Sequence, residues 1–251
     1  MSRGGITTVL AWMPALACAA WALLRLSGID PPYPLFPLLA FTPWIIVAGA
    51  LAAIWALALR RPVAAVVAGT AALLLGVVVA PRVLGTEQPH IDGPELTVMA
   101  SNLQFGAADQ GVLAELVRDH GVDAISFEEL TPAAARELSR GPLARLMPHR
   151  ILDPQSGGFG SGIVSALPMR KLPSPSVDAT KHPVLAAELR LGGGAKAELW
   201  SIHPEPPSGG EQTDGLTSYL DSIPPPDPAG PPLLLAGDFN STIDHLSLIH
   251  I

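Results

Sequence analysis

The feature that most constrains this chain is the spacing of charged residues in its first third. No residue is charged between Arg3 and Arg25, between Asp30 and Arg60, or between Arg61 and Arg82, gaps of 21, 29 and 20 residues. A helix rises about 1.5 Å per residue, so each gap is long enough to cross a hydrocarbon layer of about 30 Å. The spacing predicts a transmembrane region over residues 1–84, with helical spans at about 6–24, 35–59 and 62–81. Arg60-Arg61-Pro62 is a tight helical hairpin, and Ser27 to Pro34, with Gly28 and its prolines, is a longer polar turn. A cleaved signal peptide would explain the first apolar run but not the next two. Trp12, Trp21, Trp44 and Trp55 suit interfacial anchors or mid-span packing. Positive charge favours the cytoplasmic side. That places Arg3 and Arg60-Arg61 inside, with Arg25, Arg82 and everything after Leu84 beyond the plasma membrane.

Cys18 is the single cysteine, so no disulfide can form within the chain, and it reads as a small buried apolar residue. A lipoprotein cleavage site at Ala15-Leu16-Ala17-Cys18 is the alternative, but the apolar run continues through Leu24. The membrane third carries Arg3, Arg25, Arg60, Arg61 and Arg82 against Asp30, a net +4, which leaves about −11 for the remainder of a chain of net −7. A domain so acidic repels a polyanion at long range and argues against a non-specific grip on duplex nucleic acid.

Residues 85–94 read as a linker, and from 95 the pattern changes to short apolar runs alternating with amphipathic segments. Leu96 to Ser101, Val122 to Phe127, Gly162 to Ala166, Val184 to Leu191, Ala197 to Ile202 and Pro232 to Ala236 are strand-like. Val112, Leu113, Leu116 and Val117 recur at helical spacing before Gly121, and Thr131-Pro132 has the form of a helix start. Strands outnumber helices, which suggests an α/β sandwich rather than a strictly alternating fold. Pro204 to Gly210 and Ile223 to Pro232 are loops by composition.

Side chains able to bind metal or move protons fall at strand ends. Asn102 follows the first strand and Glu128-Glu129 the second; His203 follows Leu199 to Ile202, and Asp238 and Asn240 follow Leu233 to Ala236. Taken singly, each suits a solvated strand end, a turn or a surface histidine. Loops at the carboxyl edge of strands build sites in α/β proteins, so four such ends could share one pocket.

The series Ser101-Asn102, Ile125-Ser126-Phe127-Glu128-Glu129-Leu130, Gly162-Ile163-Val164-Ser165, Ile202-His203-Pro204 and Gly237-Asp238-Phe239-Asn240 resembles the successive motifs of the endonuclease/exonuclease/phosphatase superfamily. The resemblance runs over about residues 95–245 and is similar to a bacterial subgroup with membrane spans ahead of the domain. It implies a four-layer αββα sandwich, incomplete here, following the three-helix transmembrane region. It also implies a phosphoesterase, phosphodiesterase or nuclease-like, dependent on Mg²⁺ or Mn²⁺. By the same resemblance Glu129 is the principal metal ligand and Asn102 helps hold the cation, the oxygen donors such an ion favours. His203 would contact the phosphoryl oxygen, Asp238 would orient a reacting water or move its proton, and Asn240 would fix the phosphate. Glu128 stands where the superfamily often carries glutamine. The partners implied are a phosphoester substrate (nucleic acid, lipid headgroup or small phosphate ester) and the bilayer, with no protein partner inferable. The alternative is a membrane-tethered binding module whose phosphoesterase-like domain has lost catalysis.

The family pattern continues well past the Gly-Asp-Phe-Asn box to a closing Asp-His pair, whereas 11 residues follow Asn240 here. Asp244-His245 stands too near the box to be that pair, so His245 reads as a loop residue. Residues 246–251 read as a non-native tail. The expectation is that residues 1–251 alone are of low stability and turn over little substrate.

Overall fold

The structure is a computed structural model and describes residues 2–84, 93–175, 177 and 184–245. Most of the expected linker and all of the expected tail therefore lie outside the described residues. The chain divides into two compact units, Met1–His90 with Ser241–His250, and Ile91–Asn240.

The first unit is built on helices α1 (Arg3–Leu26), α2 (Leu35–Leu38), α3 (Thr42–Ala58) and α4 (Pro62–Leu84). Three helical stretches, Gly4–Leu26, Leu35–Ala58 and Pro62–Arg82, are long and apolar enough to cross a membrane. The second is not one regular helix: α2 and a 3₁₀ turn at Leu39–Phe41 precede α3, with Pro37 and Pro43 marking the irregular entry. Contact between helices is made by small side chains. Ala11, Ala15, Ala52, Ala56, Ala64, Ala65 and Ala68 form one buried cluster, and a Cβ on Gly49 would stand 3.0 Å from that of Ala72. Many large apolar side chains point outward, with Leu23, Val66 and Leu73 each about two-thirds exposed or more. Arg61 Nη2 donates to Gly4 O at 2.9 Å, which fixes the Arg60-Arg61 turn at the same end as the start of α1.

Ser241 to His245 pack with this helical unit. Asp244, 2% exposed, accepts from Arg82 Nη1 at 2.8 Å and Nη2 at 3.0 Å and from Arg25 Nε at 3.5 Å. His245 lies in a turn as expected, yet it is buried: its Nε2 is 3.0 Å from Phe36 O and its ring is 4.3 Å from the Phe36 ring.

The second unit holds two four-stranded sheets, ordered β1-β2-β4-β3 and β5-β6-β7-β8. The strands are β1 (Val98–Asn102), β2 (Ala124–Glu128), β3 (His149–Asp153), β4 (Ser161–Ser165), β5 (Met169–Lys171), β6 (Leu185–Arg190), β7 (Lys196–Ile202) and β8 (Leu233–Gly237). The expected strands are all present within a residue or two at each end. β3 and β5 went unread because His149-Arg150 and Arg170-Lys171 interrupt any apolar run. The helices are α5 (Gln110–His120), α6 (Pro132–Leu138), α7 (Leu143–Leu146) and α8 (Gly210–Asp221). Asp109 caps α5 through bonds from the Gly111 and Val112 amides. Thr131 caps α6 through the Ala134 amide with Pro132 at its start, as the sequence indicated.

Alternation of side chains along each strand sorts the core into layers. In β2, Ile125 and Phe127 face a core shared with α5, α6 and α7. Ala124 instead faces the space between the sheets, with Leu185, Ala187, Leu189 and Leu199, and with Leu234 and Ala236 of β8 packed against them. Ser126 and Glu128 share the parity of Ala124, and Asp238 that of Leu234 and Ala236. Ser126, Glu128 and Asp238 are thus delivered to the inter-sheet side of their strands.

A candidate active site at the strand ends

β1 and β2 run parallel with Asn102 opposite Glu128, and β7 and β8 run parallel with Ile202 opposite Gly237. All four carboxyl ends meet at one end of the sandwich. Asn102 makes the junction: its Nδ2 donates to Glu129 Oε1 at 2.9 Å and to Asp238 Oδ2 at 3.1 Å, while its Oδ1 accepts from the Gln104 amide at 2.8 Å. Glu129 Oε2 accepts from the Phe105 amide at 2.7 Å. The loop after β1 thus supplies backbone N–H groups to two site residues.

His203 is 6% exposed. Burial pushes its imidazolium pKa down, against the opposing pull of the Asp238 and Glu129 carboxylates and of a ring contact with the Gly158 backbone. The imidazole therefore favours its neutral form, within the field of both acids. Asn240 receives support from two sides. Its amide donates to Asp238 Oδ1 at 2.9 Å, and its side-chain Nδ2 donates to Pro204 O at 2.9 Å. Tyr219 of α8 is buried, and desolvation raises the pKa of its hydroxyl against the lowering pull of the His203 backbone.

Among the described residues, four of the five non-glycine residues with positive φ lie here: Gln104 (48°), Phe105 (56°), Glu129 (57°) and Asn240 (49°). Each costs backbone energy that burial and hydrogen bonding must hold in place. For Glu129 the reason is visible: β2 ends at Glu128, and the left-handed turn carries the next carboxylate away from the sandwich interior and onto Asn102 and the Phe105 amide. The structure therefore brings together Asn102, Glu129, His203, Asp238 and Asn240, and separates the two neighbouring glutamates. Sequence reasoning missed the amides of Gln104 and Phe105 and the approach of Gly158, because backbone donors carry no residue-type signal.

Glu128 is 0% exposed. Its Oε1 accepts from Ser126 Oγ at 2.6 Å, and its Oε2 has no hydrogen-bond partner. Burial, partly offset by the Ser126 bond and reinforced by Asp238 and Glu129, pushes its pKa from 4.5 up to about 7. The folded state then binds this proton more tightly than the unfolded chain does. Its stabilisation is complete below about pH 4.5 and is lost as pH rises to about 7, a change of roughly 3 kcal/mol. Denaturant unfolding of the metal-free protein across that window should show the decline, and Glu128→Gln should flatten it. Parallel curves for the two proteins would contradict the shift.

The donors here are two carboxylates and an amide, oxygen-bearing groups suited to a hard divalent cation that keeps several waters. Among the described residues, no three His, Cys, Asp or Glu side chains are grouped as a metal cage.

The Endonuclease/Exonuclease/phosphatase family matches residues 99–250, more than half of the chain, and the protein belongs to that family. Its members include phosphodiesterases, nucleases and phosphatases and typically hydrolyse phosphoesters. Solved structures similar to the chain include a D. rerio TDP2 humanized by 14 mutations, at 18% identity and TM-score 0.45, covering 61% of this chain and 70% of that one. An endonuclease/exonuclease/phosphatase from Beutenbergia cavernae is 16% identical with TM-score 0.46, covering 59% of this chain and 48% of that one, so the chain spans about half of its length. A β-hairpin deletion mutant of Staphylococcus aureus β toxin is 14% identical with TM-score 0.45, covering 63% of this chain and 71% of that one. No curated protein sequence matches the chain.

Proposed function

We propose that this protein is a membrane-anchored phosphoesterase that uses Mg²⁺ or Mn²⁺ at the Asn102–Glu129–Asp238 junction. The observation that carries the reading is a single amide, Asn102, bonded to carboxylates from two different sheets, with His203 in their field. Two acids so close repel each other unless a donor or a cation stands between them. Glu129 and Asn102 are the residues to hold the ion. When bound, the cation would polarise a phosphoryl oxygen and offset the charge that builds up in an in-line displacement.

The chain's own groups supply the rest. Neutral His203 can donate to a phosphoryl oxygen. Asp238, fixed by Asn102 and the Asn240 amide, is oriented to steer a water or hold its proton, and Asn240 stands beside it to position the phosphate. Titrating the detergent-purified protein with Mn²⁺ by electron paramagnetic resonance, alongside hydrolysis of a chromogenic phosphodiester, tests this. Absence of Mn²⁺ binding by the unaltered chain would sink it. The substrate is a phosphoester, with nucleic acid, lipid headgroup and small phosphate ester all compatible; the net charge of about −11 beyond the membrane third disfavours non-specific duplex DNA.

Membrane anchoring is supported by the inverted packing of the first unit. Alanines such as Ala11, Ala56 and Ala68 face inward, and Leu23, Leu51, Val66 and Leu73 outward, an arrangement a lipid solvent stabilises and water does not. With the Arg60-Arg61 turn cytoplasmic, the catalytic domain is extracytoplasmic. Protease added to intact cells should therefore cleave within residues 93–240, and full protection of that region would reverse the orientation.

A further inference from the structure

We propose that Glu128, together with Ser126, is a positioning residue that sets the Gly237–Asp238 strand end from inside the sandwich. The inference rests on the phosphoesterase reading of the site and concerns a carboxyl that this reading leaves without a role. Both side chains are 0% exposed and lie on the inter-sheet side of β2. Ser126 Oγ is 2.6 Å from Glu128 Oε1 and 3.1 Å from Ala236 O, so one hydroxyl spans from the first sheet to the last strand of the second.

The next residue of that strand, Gly237, shows how close the approach is. At its φ of 149° an added Cβ would stand 2.9 Å from Glu128 Oε1 and would overlap Ile202 O. Only a glycine lets the backbone pass between the carboxyl and β7, and the residue immediately beyond it is Asp238. Shifting Glu128 must therefore shift the base of Asp238, and with it the bonds that Asp238 makes to Asn102 and to the Asn240 amide.

A purely stabilising role does not explain the carboxyl. Glu128 Oε2 is buried without a partner, a state that a leucine of similar size would avoid. Glutamine would keep the acceptor for Ser126 and the shape, and leucine would keep the approximate volume alone. Ser126→Ala would cut the bridge while leaving the carboxyl in place.

The test uses the full chain in detergent, with Mn²⁺ as probe and with the ¹⁵N amide resonances of Asp238 and Asn240 followed in the metal-free protein. Glu128→Gln is expected to bind Mn²⁺ within about threefold of the unaltered protein. Glu128→Leu and Ser126→Ala should weaken it by roughly tenfold or more, the cost of losing an outer support of a metal site. Both weakened variants should also displace the Asn240 amide resonance, with Glu128→Leu at least as heat-stable as Glu128→Gln. Leucine and serine variants that match the glutamine variant in Mn²⁺ affinity and in the Asn240 resonance would overturn the proposal. If the unaltered chain binds no Mn²⁺, the metal-dependent reading fails. The amide resonances then decide the positioning role by themselves.

Discussion

Glu129→Ala is expected to abolish Mn²⁺ binding by this protein, while Glu128→Gln leaves binding near that of the unaltered chain. The two glutamates are adjacent in sequence, so the contrast depends wholly on the turn between them. Glu129 leaves the sheet at φ 57° and reaches Asn102 and the Phe105 amide, whereas Glu128 stays between the sheets on Ser126. Losing an outer support of a metal site costs roughly 10–100-fold in affinity, and losing a direct carboxylate ligand should exceed that. Calorimetric or resonance titration of both variants measures it. Retained affinity in Glu129→Ala, with loss in Glu128→Gln, would move the metal to the other glutamate.

Asp244→Ala should destabilise the helical unit by about 3–5 kcal/mol, the usual consequence of removing one partner from a buried ion pair. Two guanidinium groups converge on this carboxylate. Arg82 does so through two bonds of 2.8 and 3.0 Å, and Arg25 Nε at 3.5 Å. The side chains of Arg25 and Asp244 are 6% and 3% exposed, so water cannot replace the lost partner. Both arginines also donate to Ile243 O, which keeps the turn at Thr242–His245 in place for the Phe36 contact. Unfolding in mixed detergent micelles would report the change, and an Arg82→Gln/Asp244→Asn double variant less impaired than the sum of its single changes would confirm the coupling. A loss below about 1 kcal/mol for Asp244→Ala would mean that the pair behaves as an exposed one.

The membrane helices were legible because an apolar run of twenty residues has few other structural meanings, and the helix at Thr131-Pro132 because capping is a local act. The strands on which the candidate site depends were legible from their apolar runs, and the positions of Asn102, Glu129, His203, Asp238 and Asn240 from where those runs stop. The short polar strands β3 and β5 were not, since pairing with β4 and β6 creates them. Nor was the place of Asp244 and His245. As residues of a polar segment they suggest a loop, and only partners far off in the chain, Arg25 and Arg82 for Asp244 and Phe36 for His245, explain their burial.

From its order of residues alone, this protein disclosed three apolar helices, a family and five polar residues at four strand ends, because each depends on contacts between near neighbours or on a pattern of residue types. Tertiary structure alone decided what each of the two adjacent glutamates touches, Glu129 on Asn102 and Glu128 on Ser126. It also decided which backbone amides hold the acids, and that a buried serine ties one sheet to the other. Those outcomes follow from side-chain parity, left-handed turns and approaches between distant segments, which come into being only when the sheets stack.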